Sequence, residues 1–262
     1  MDDAVRIGVF DSGVGGLTVL AALRRRLPAA QLLYAADSAH APYGERDAAY
    51  VLARSRALTR FLLARGAQAV VVACNTATAL AIEQLRDDWP QVPFVGIEPA
   101  LKPALADDAE VGVLATPATL RSARFRALLA AHGAGRRPRL QPCPGLAEAI
   151  ETVGAQAPRT VELVAQLCAP LRGCRRVVLG CTHYPLVADA IRAALGPVDL
   201  VDPAQAVAAQ TARVVAVLPP SQANVPLLQC WSNGDAARLQ RVALDCGLAA
   251  TEVEALADEA VA

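Results

Sequence analysis

The sequence predicts an α/β fold that contains two doubly wound, mostly parallel sheets. Short apolar strands alternate with helical patterns from Arg6 onward, and a similar alternation restarts at Val111. One layout also occurs twice, at residues 69–86 and 176–192: a β-branched run, a small residue, a cysteine and then helix-like spacing. A chain of 262 residues is long enough for two domains of ordinary size, and we expect one copy of the repeat in each.

The first half of the chain contains four predicted strands. They are residues 6–10, residues 31–35, the run that ends before Cys74, and residues 94–97. The helix after the first strand has leucines at helical spacing and stops near Pro28. A second helix is predicted over residues 46–65, and a third follows Cys74.

The second half repeats this alternation and then returns to the first. Its predicted strands are residues 111–115, residues 139–143, the run before Cys181, and residues 200–202. Its predicted helices start at Thr116-Pro117 and cover residues 145–153 and 156–171. A helix over residues 204–218 leads back to a strand at 227–231 and a helix at 235–246. We therefore predict one domain from residues 1–97 with 208–262, and a second from residues 98–207.

Composition excludes several classes of protein. The net charge is zero and arginines alternate with acidic residues, which argues against a nucleic-acid partner and against a polybasic membrane surface. No apolar run approaches a membrane span and no signal-peptide pattern is seen, so we expect a cytoplasmic protein whose seven scattered cysteines are free thiols. We expect a small-molecule substrate as the partner. The Ala- and Leu-rich surface of arginine-rich helices would permit a homodimer.

Cofactors and metals are also disfavoured. Lys102 is the only lysine and lies in a proline-flanked segment, which argues against a pyridoxal-phosphate imine. Residues 13–16 lack the third spaced glycine of the dinucleotide pattern. With three histidines and no closely spaced cysteine pair, a closed metal site is not expected. Any chemistry here must use the side chains of the protein itself.

Cys74 and Cys181 are the candidate catalytic residues. Each follows a strand and precedes a helical pattern, which places its thiol at the carboxyl edge of a sheet, where α/β proteins bind ligands. Racemisation removes a Cα proton from one face and returns a proton to the other, so one base on each face is the simplest arrangement. A helix N-terminus stabilises a thiolate by only about 0.3–2 kcal/mol. Helper groups are therefore needed, and we expect Asp11 beside one thiol and His183 beside the other.

An amino-acid substrate also needs hydrogen-bond donors for its carboxylates. Backbone N–H groups at helix N-termini provide such donors, and polar side chains beside them add more. The candidate substrate-binding residues are Ser12, Tyr43, Gly44, Asn75, Thr76, Thr119 and Thr182. An ordinary N-cap or turn role is the alternative for each of them.

In these motifs the chain resembles the glutamate racemases of the cofactor-independent aspartate/glutamate racemase superfamily. The resemblance covers nearly the whole chain. It lies in DSGVGGL at residues 11–17, APYG at 41–44, ACNTA at 73–77, TPAT at 116–119, GCTHYP at 180–185 and NGD at 233–235, with Cys143-Pro144 and Glu151. Several of these motifs are specific in combination.

The resemblance implies a fold, a reaction and a set of site residues. It implies two domains related by a pseudo-two-fold axis, with the active site in the cleft between them and no cofactor. It implies that Cys74 abstracts the proton from D-glutamate and Cys181 from L-glutamate, assisted by Asp11, Glu151 and His183. It assigns contacts with the substrate to Ser12, Tyr43, Gly44, Asn75, Thr76, Thr182 and His183. The D-glutamate formed would supply peptidoglycan synthesis in a bacterial cytoplasm.

Three other functions remain open at this point. An aspartate racemase, or another amino-acid racemase of the superfamily, would differ in pocket depth, which one sequence does not reveal. A thiol redox or acyl-transfer enzyme would use one cysteine, and the other could then be replaced without loss of activity. A catalytically silent amino-acid-binding protein would exchange no hydrogen at the Cα of glutamate.

Overall fold

Two separate parallel sheets organise the protein. The structure is a computed structural model that describes residues 5–133, 135–221, 226–248 and 252–257. Within these residues the strands are β1 (Arg6–Asp11), β2 (Gln31–Ala36), β3 (Ala69–Val72), β4 (Phe94–Gly96), β5 (Val111–Ala115), β6 (Arg139–Pro142), β7 (Arg176–Gly180), β8 (Asp199–Val201), β9 (Leu228–Ser232) and β10 (Val253–Ala255). One sheet has the order β10-β9-β2-β1-β3-β4 and the other has the order β6-β5-β7-β8.

Helices connect the strands, because a parallel partner can be reached only by a crossover. They are α1 (Leu17–Arg26), α2 (Ala48–Ala64), α3 (Asn75–Asp88), α4 (Leu101–Ala104), α5 (Pro117–Arg121), α6 (Ala123–Gly133), α7 (Leu146–Thr152), α8 (Pro158–Cys168), α9 (Ala188–Leu195), α10 (Ala204–Val215) and α11 (Ala236–Asp245). No helix of the described residues is both long enough and apolar enough to cross a membrane.

The six-stranded sheet is buried on both faces. Strand β1 lies at its centre, with Phe10 opposite Ala35 of β2 and Val72 of β3. Because side chains alternate along a strand, Ile7 and Val9 face one core and Phe10 faces the other. Helices α1 and α10 cover the first core, and α2 and α3 cover the second.

The four-stranded sheet is covered in the same way. Helices α7, α8 and α9 pack on one face against Leu114, Val177 and Leu179. Helices α4 and α6 pack on the other face against Val113 and Val178. Residues 11–16 lie at the C-terminal end of the central strand β1, and residues 181–184 follow the C-terminal end of the central strand β7. Each predicted motif therefore lies at the carboxyl edge of its sheet.

The predicted fold class is confirmed, since every described strand pair is parallel and helices cover both faces of both sheets. The sequence patterns did not predict β10, the four-residue helix α4, or α6 as a helix distinct from α5. Ser122 interrupts these two helices with extended backbone and caps the second, because its Oγ accepts from Phe125 N at 3.0 Å. The predicted domain boundaries stay a prediction.

Candidate active site

Cys74 lies where the first sheet gives way to α3. Strand β3 ends at Val72, and Cys74 is the N-cap residue of α3, with extended backbone. Its Sγ lies 3.8 Å from Ser12 Oγ. Burial and the nearby Asp11 carboxylate raise the pKa of the Cys74 thiol well above its usual value, although the Ala77 amide acts in the opposite direction. The raised pKa favours the protonated thiol at Cys74.

Cys181 occupies the corresponding position after β7, but its local structure differs. We expected a helix directly after this cysteine, and that expectation is wrong: a turn and a 3-10 helix (Tyr184–Val187) intervene before α9 begins at Ala188. Pro185 has no N–H to donate in this turn, which favours the short irregular connection. The dipole of an α-helix thus acts on Cys74 and not on Cys181, and the two halves of the repeat are not equivalent.

A histidine and a carboxylate stand behind Cys181 in place of the helix. His183 Nδ1 lies 3.6 Å from Cys181 Sγ, and His183 Nε2 lies 2.5 Å from Glu151 Oε1. Burial alone would lower the pKa of His183, but its hydrogen bonds to Cys181 and Glu151 outweigh burial and raise the pKa well above its usual value. A protonated His183 therefore places a positive charge beside the Cys181 sulfur.

Two hydrogen bonds join the two domains beside these residues. Val14 N donates to Glu151 Oε1 at 2.7 Å, and Thr182 Oγ1 donates to Asp11 Oδ2 at 3.0 Å. Asp11 Oδ1 in turn accepts from the amide and the hydroxyl of Ser12. The path from Cys74 through Ser12 and Asp11 thus ends at the residue that follows Cys181. The two thiols also interact electrostatically, since Cys181 contributes to the raised pKa of Cys74.

Asp11 is fully buried between these groups. Desolvation raises the pKa of its carboxyl, and the Glu151 charge adds to this, while His183 and the hydroxyls of Thr182 and Ser12 lower it. The net shift is upward, so the carboxyl keeps its proton to a higher pH than an exposed aspartate does.

The glycine-rich loop after β1 allows the domains to approach each other closely. A Cβ on Gly13 would lie 1.8 Å from Glu151 Oε1, and a Cβ on Gly15 would lie 2.5 Å from His183 Nδ1 and 2.6 Å from Thr182 Oγ1. These distances are far below van der Waals contact. The glycines are therefore required by the second domain that packs against them.

The polar residues at the start of α3 point to a ligand. Asn75 is 3% exposed, and neither its Nδ2 nor its Oδ1 has a hydrogen-bond partner among the described residues. Burying an amide without partners costs about 1–3 kcal/mol. Thr76 Oγ1 lies 3.1 Å from Thr116 Oγ1 and 3.5 Å from Thr119 Oγ1, which belong to the other domain. Asn75 therefore has free hydrogen-bonding capacity at the domain boundary.

A buried carboxylate, Asp37, stabilises the loop that carries Tyr43 and Gly44. The Tyr43 hydroxyl donates to the fully buried carboxylate of Asp37, which also accepts from Arg54 and from Asn233 Nδ2. A Cβ on Gly44 would lie 2.7 Å from Thr116 Cγ2. Tyr43 thus uses its hydroxyl within the protein, and this loop reaches the site by close backbone approach.

All the predicted site residues lie at or beside this interface, but several neighbours were not predicted. Thr116 joins Thr76 and Thr119, Val14 supplies an amide, and Asp37 supports Tyr43. Thr116 could have been recognised, because Thr-Pro at a helix start is an N-cap signal and its Oγ1 does accept from Thr119 N. No sequence pattern could have indicated Val14, because it contributes its backbone N–H and not its side chain. No cluster of metal ligands occurs among the described residues.

Chemically, the arrangement places two sulfurs from different domains around a shared hydrogen-bonded centre. Cys181 has a histidine–carboxylate pair behind it, which can hold or pass on a proton. Cys74 has Ser12 and Asp11. The two thiols thus have different polar partners.

Comparisons with known proteins identify the family of the chain. A family model described as Asp/Glu/Hydantoin racemase matches residues 12–211. The glutamate racemase of Ectopseudomonas mendocina is 48% identical over 246 residues, which cover 90% of this chain and 92% of that protein.

Solved structures extend the similarity to the fold. The glutamate racemase of Escherichia coli, in complex with L-glutamate and the activator UDP-MurNAc-ala, is 30% identical with a TM-score of 0.86, and the match covers 97% of this chain and 98% of that chain. The glutamate racemase of Thermus thermophilus, in complex with beta-chloro-D-alanine, is 33% identical with a TM-score of 0.81, and the match covers 99% and 100% of the two chains. The family model spans most of the chain and the similarity to glutamate racemases spans nearly all of it. The chain therefore belongs to the Asp/Glu/Hydantoin racemase family, as an amino-acid racemase of the glutamate racemase type.

Proposed function

We propose that the protein interconverts L- and D-glutamate by a cofactor-independent, two-thiol transfer of the Cα proton. The observation that carries this proposal is the pair of buried thiols, Cys74 and Cys181, which come from different sheets and are linked through Ser12, Asp11 and Thr182. A single-thiol enzyme would have no use for the second sulfur or for its separate partners.

In the L-to-D direction, Cys181 removes the Cα proton and Cys74 supplies a proton to the opposite face. The Cys181 thiolate becomes a thiol as it takes the proton from Cα, and the Cys74 thiol becomes a thiolate as it protonates the same carbon. The raised pKa of Cys74 and the charged His183 beside Cys181 favour this starting state. The reverse direction starts from the opposite protonation of the two sulfurs.

The helper residues have different tasks on the two sides. His183 neutralises the Cys181 thiolate and can exchange a proton with it through Nδ1, and Glu151 fixes the ring through Nε2. Asp11, with its raised pKa, can exchange a proton with the Cys74 thiol through the Ser12 hydroxyl. A racemase needs such tuning because the Cα proton of an amino acid is only weakly acidic, and each positioned acid or base contributes roughly 10²–10⁴-fold.

The substrate carboxylates and amine are bound by the polar residues around the thiols. Asn75, with its unpaired amide, and Thr76 offer donors at the N-terminus of α3. Thr182, Ser12 and the backbone at Gly44 complete this group, and Thr119 contributes through Thr76. We assign glutamate over aspartate because the relatives with high identity over most of the chain are named glutamate racemases.

The cellular role follows from the product. D-Glutamate is a building block of peptidoglycan, and we propose that the protein supplies it in a bacterial cytoplasm. All seven cysteines are free thiols, as expected in a reducing compartment. A homodimer stays a prediction, which sedimentation analysis would test.

The deciding experiment follows deuterium and chirality together. In D₂O without added cofactor, purified protein should incorporate deuterium at Cα of glutamate while circular dichroism shows loss of optical rotation, with much slower turnover of aspartate. Cys74→Ala and Cys181→Ala should each abolish racemisation, whereas Cys168→Ala, which changes a buried thiol outside the site, should not. Full racemisation by either single variant would refute the two-thiol mechanism, and absence of exchange in the unmodified protein would refute the racemase function.

A further inference from the structure

Helix α7 carries Glu151 and is held at both ends by the opposite domain. Helix α7 packs within the second domain through Leu146 and Ile150. At its start, Gly145 N donates to Glu45 Oε1 at 2.9 Å. At its end, Arg238 of α11 donates from Nη1 to Thr152 O and from Nη2 to Ile150 O, both at 2.8 Å. The carbonyls that Arg238 grips are those of the residues on either side of Glu151.

These contacts suit the end of a helix. The last carbonyls of a helix have no partner inside the helix, and a cation there also complements the helix dipole. A guanidinium has donors in a rigid fork, so it can bind two carbonyls at once. Helix α11 itself is anchored in the first core by Leu239 and Ala243, and its N-cap Asp235 accepts from Arg238 N at 3.0 Å. Arg238 therefore ties α7 to a rigid element of the first domain.

We propose that Arg238 is a positioning residue, which holds the backbone on both sides of Glu151 and thereby keeps the Glu151 carboxylate on His183. The inference rests on the proposed function, in which His183 serves Cys181. Glu151 meets Val14 of the first domain and His183 of the second through the same oxygen, Oε1. The position of the Glu151 carboxylate thus depends on how the two domains pack together. Arg238 fixes this packing through the carbonyls of the two residues that flank Glu151.

Arg241 provides a matched control. It lies one turn further along the same helix and borders the same groove between α11 and residues 153–157, but it is exposed and has no hydrogen bond to α7 among the described residues. Arg238→Met and Arg241→Met remove the same charge from the same helix face. Only Arg238→Met removes the two hydrogen bonds to the carbonyls beside Glu151.

The test combines histidine NMR with a double-mutant cycle. The chain has three histidines, so the His183 ring signals can be identified by their loss in His183→Gln. We expect Arg238→Met and Glu151→Gln each to lower the pKa of His183, and Arg241→Met to leave it unchanged. With glutamate as substrate, Arg238→Met should reduce kcat roughly tenfold or more with little change in KM. In the Glu151→Gln background, Arg238→Met should cause no further fall in kcat, because both changes remove the same interaction of Glu151 with His183.

Several outcomes would overturn the inference. An unchanged His183 titration in Arg238→Met, or additive losses in the double variant, would show that Arg238 acts only on general stability. Should Arg238→Met fail to fold, Arg238→Lys gives the same test, because a lysine can reach one carbonyl but not both and should show an intermediate effect. A protein without glutamate turnover would refute the proposed function, and the NMR titration would still decide the role of Arg238.

Discussion

Thr182 donates its hydroxyl hydrogen to Asp11 across 3.0 Å, from one domain to the other, between residues that are 171 positions apart in the chain. The acceptor is a fully buried carboxylate, and the donor follows the cysteine of the second domain. Because this hydrogen bond lowers the pKa of Asp11, the protonation of the Asp11 carboxyl depends on contact between the two domains. It also connects the polar partners of Cys74 to the segment that carries Cys181.

Replacing the donor of this bond should uncouple the two halves of the site. Thr182→Val keeps the shape of the side chain but removes a buried hydrogen bond, which costs about 1–3 kcal/mol when the acceptor is left unpaired. We expect a fall in kcat/KM of roughly tenfold or more, measured by circular dichroism with L-glutamate. Thr211→Val is the control, since that hydroxyl bonds only within α10. Equal activity of the two variants would contradict the role of the contact.

Asp11→Asn should increase stability while it reduces activity. Burial raises the pKa of Asp11 in the folded protein, so the charged carboxylate weakens folding once the pH rises above the unfolded value of 3.8. The variant should therefore match the wild type near pH 4 and exceed its thermal stability at pH 7, with greatly reduced turnover. Thermal unfolding at the two pH values tests the sign. A variant that is less stable at pH 7 than at pH 4, relative to wild type, would disprove it.

His183 should show a pH dependence of the same sign as Asp11, but at higher pH, because its folded pKa is also raised. Its folded pKa is raised, so its interactions with Glu151 and Cys181 stabilise the fold fully below the unfolded pKa near 6.5 and lose this contribution as the pH rises through the folded value. We expect the stability difference between wild type and His183→Gln to shrink as the pH increases. Denaturant unfolding from pH 6 to pH 10 measures it. His132→Gln, at a partly exposed histidine of α6, is the control.

Gly15→Ala should disrupt the site without a change in charge. The added Cβ would lie 2.5 Å from His183 Nδ1, so either the histidine or the domain interface must shift. We expect a loss of activity of about 10²-fold, because displacements of roughly 1 Å have this effect on catalysis. Gly133→Ala in α6 would make only an ordinary contact of 3.7 Å with Leu129 and should leave turnover unchanged. Normal turnover by Gly15→Ala would mean that the domains do not approach as closely as described.

Asp37→Asn should loosen the loop that carries Tyr43. The buried carboxylate accepts from Tyr43, Arg54 and Asn233, and loss of one partner of a buried ion pair costs about 3–5 kcal/mol. We expect a large fall in thermal stability together with a raised KM for glutamate. Asp88→Asn, which breaks the partly exposed ion pair with Arg56, should have little effect on either quantity. An unchanged KM in Asp37→Asn would separate the loop from substrate binding.

Much of the fold could be predicted because its signals are local. The alternation of strands and helices reflects side-chain periodicity, and the predicted strands from β1 to β9 all occur close to their predicted positions. Prediction failed where the signal was weak or absent. Strand β10 has three residues with two of them exposed, and the segment after Cys181 has helical spacing but a proline and a turn in place of a helix start.

The sequence by itself determined most of the secondary structure, the two strand-to-cysteine junctions and most of the polar residues around them. The tertiary structure alone decided which of these residues meet, because Glu151 and Val14 are 137 positions apart and come together only through docking of the domains. It also made the two cysteines unequal, with a helix N-terminus at Cys74 and a histidine–carboxylate pair at Cys181. Periodicity is a property of short segments, whereas burial, charge and hydrogen bonding at this site depend on surfaces contributed by both domains.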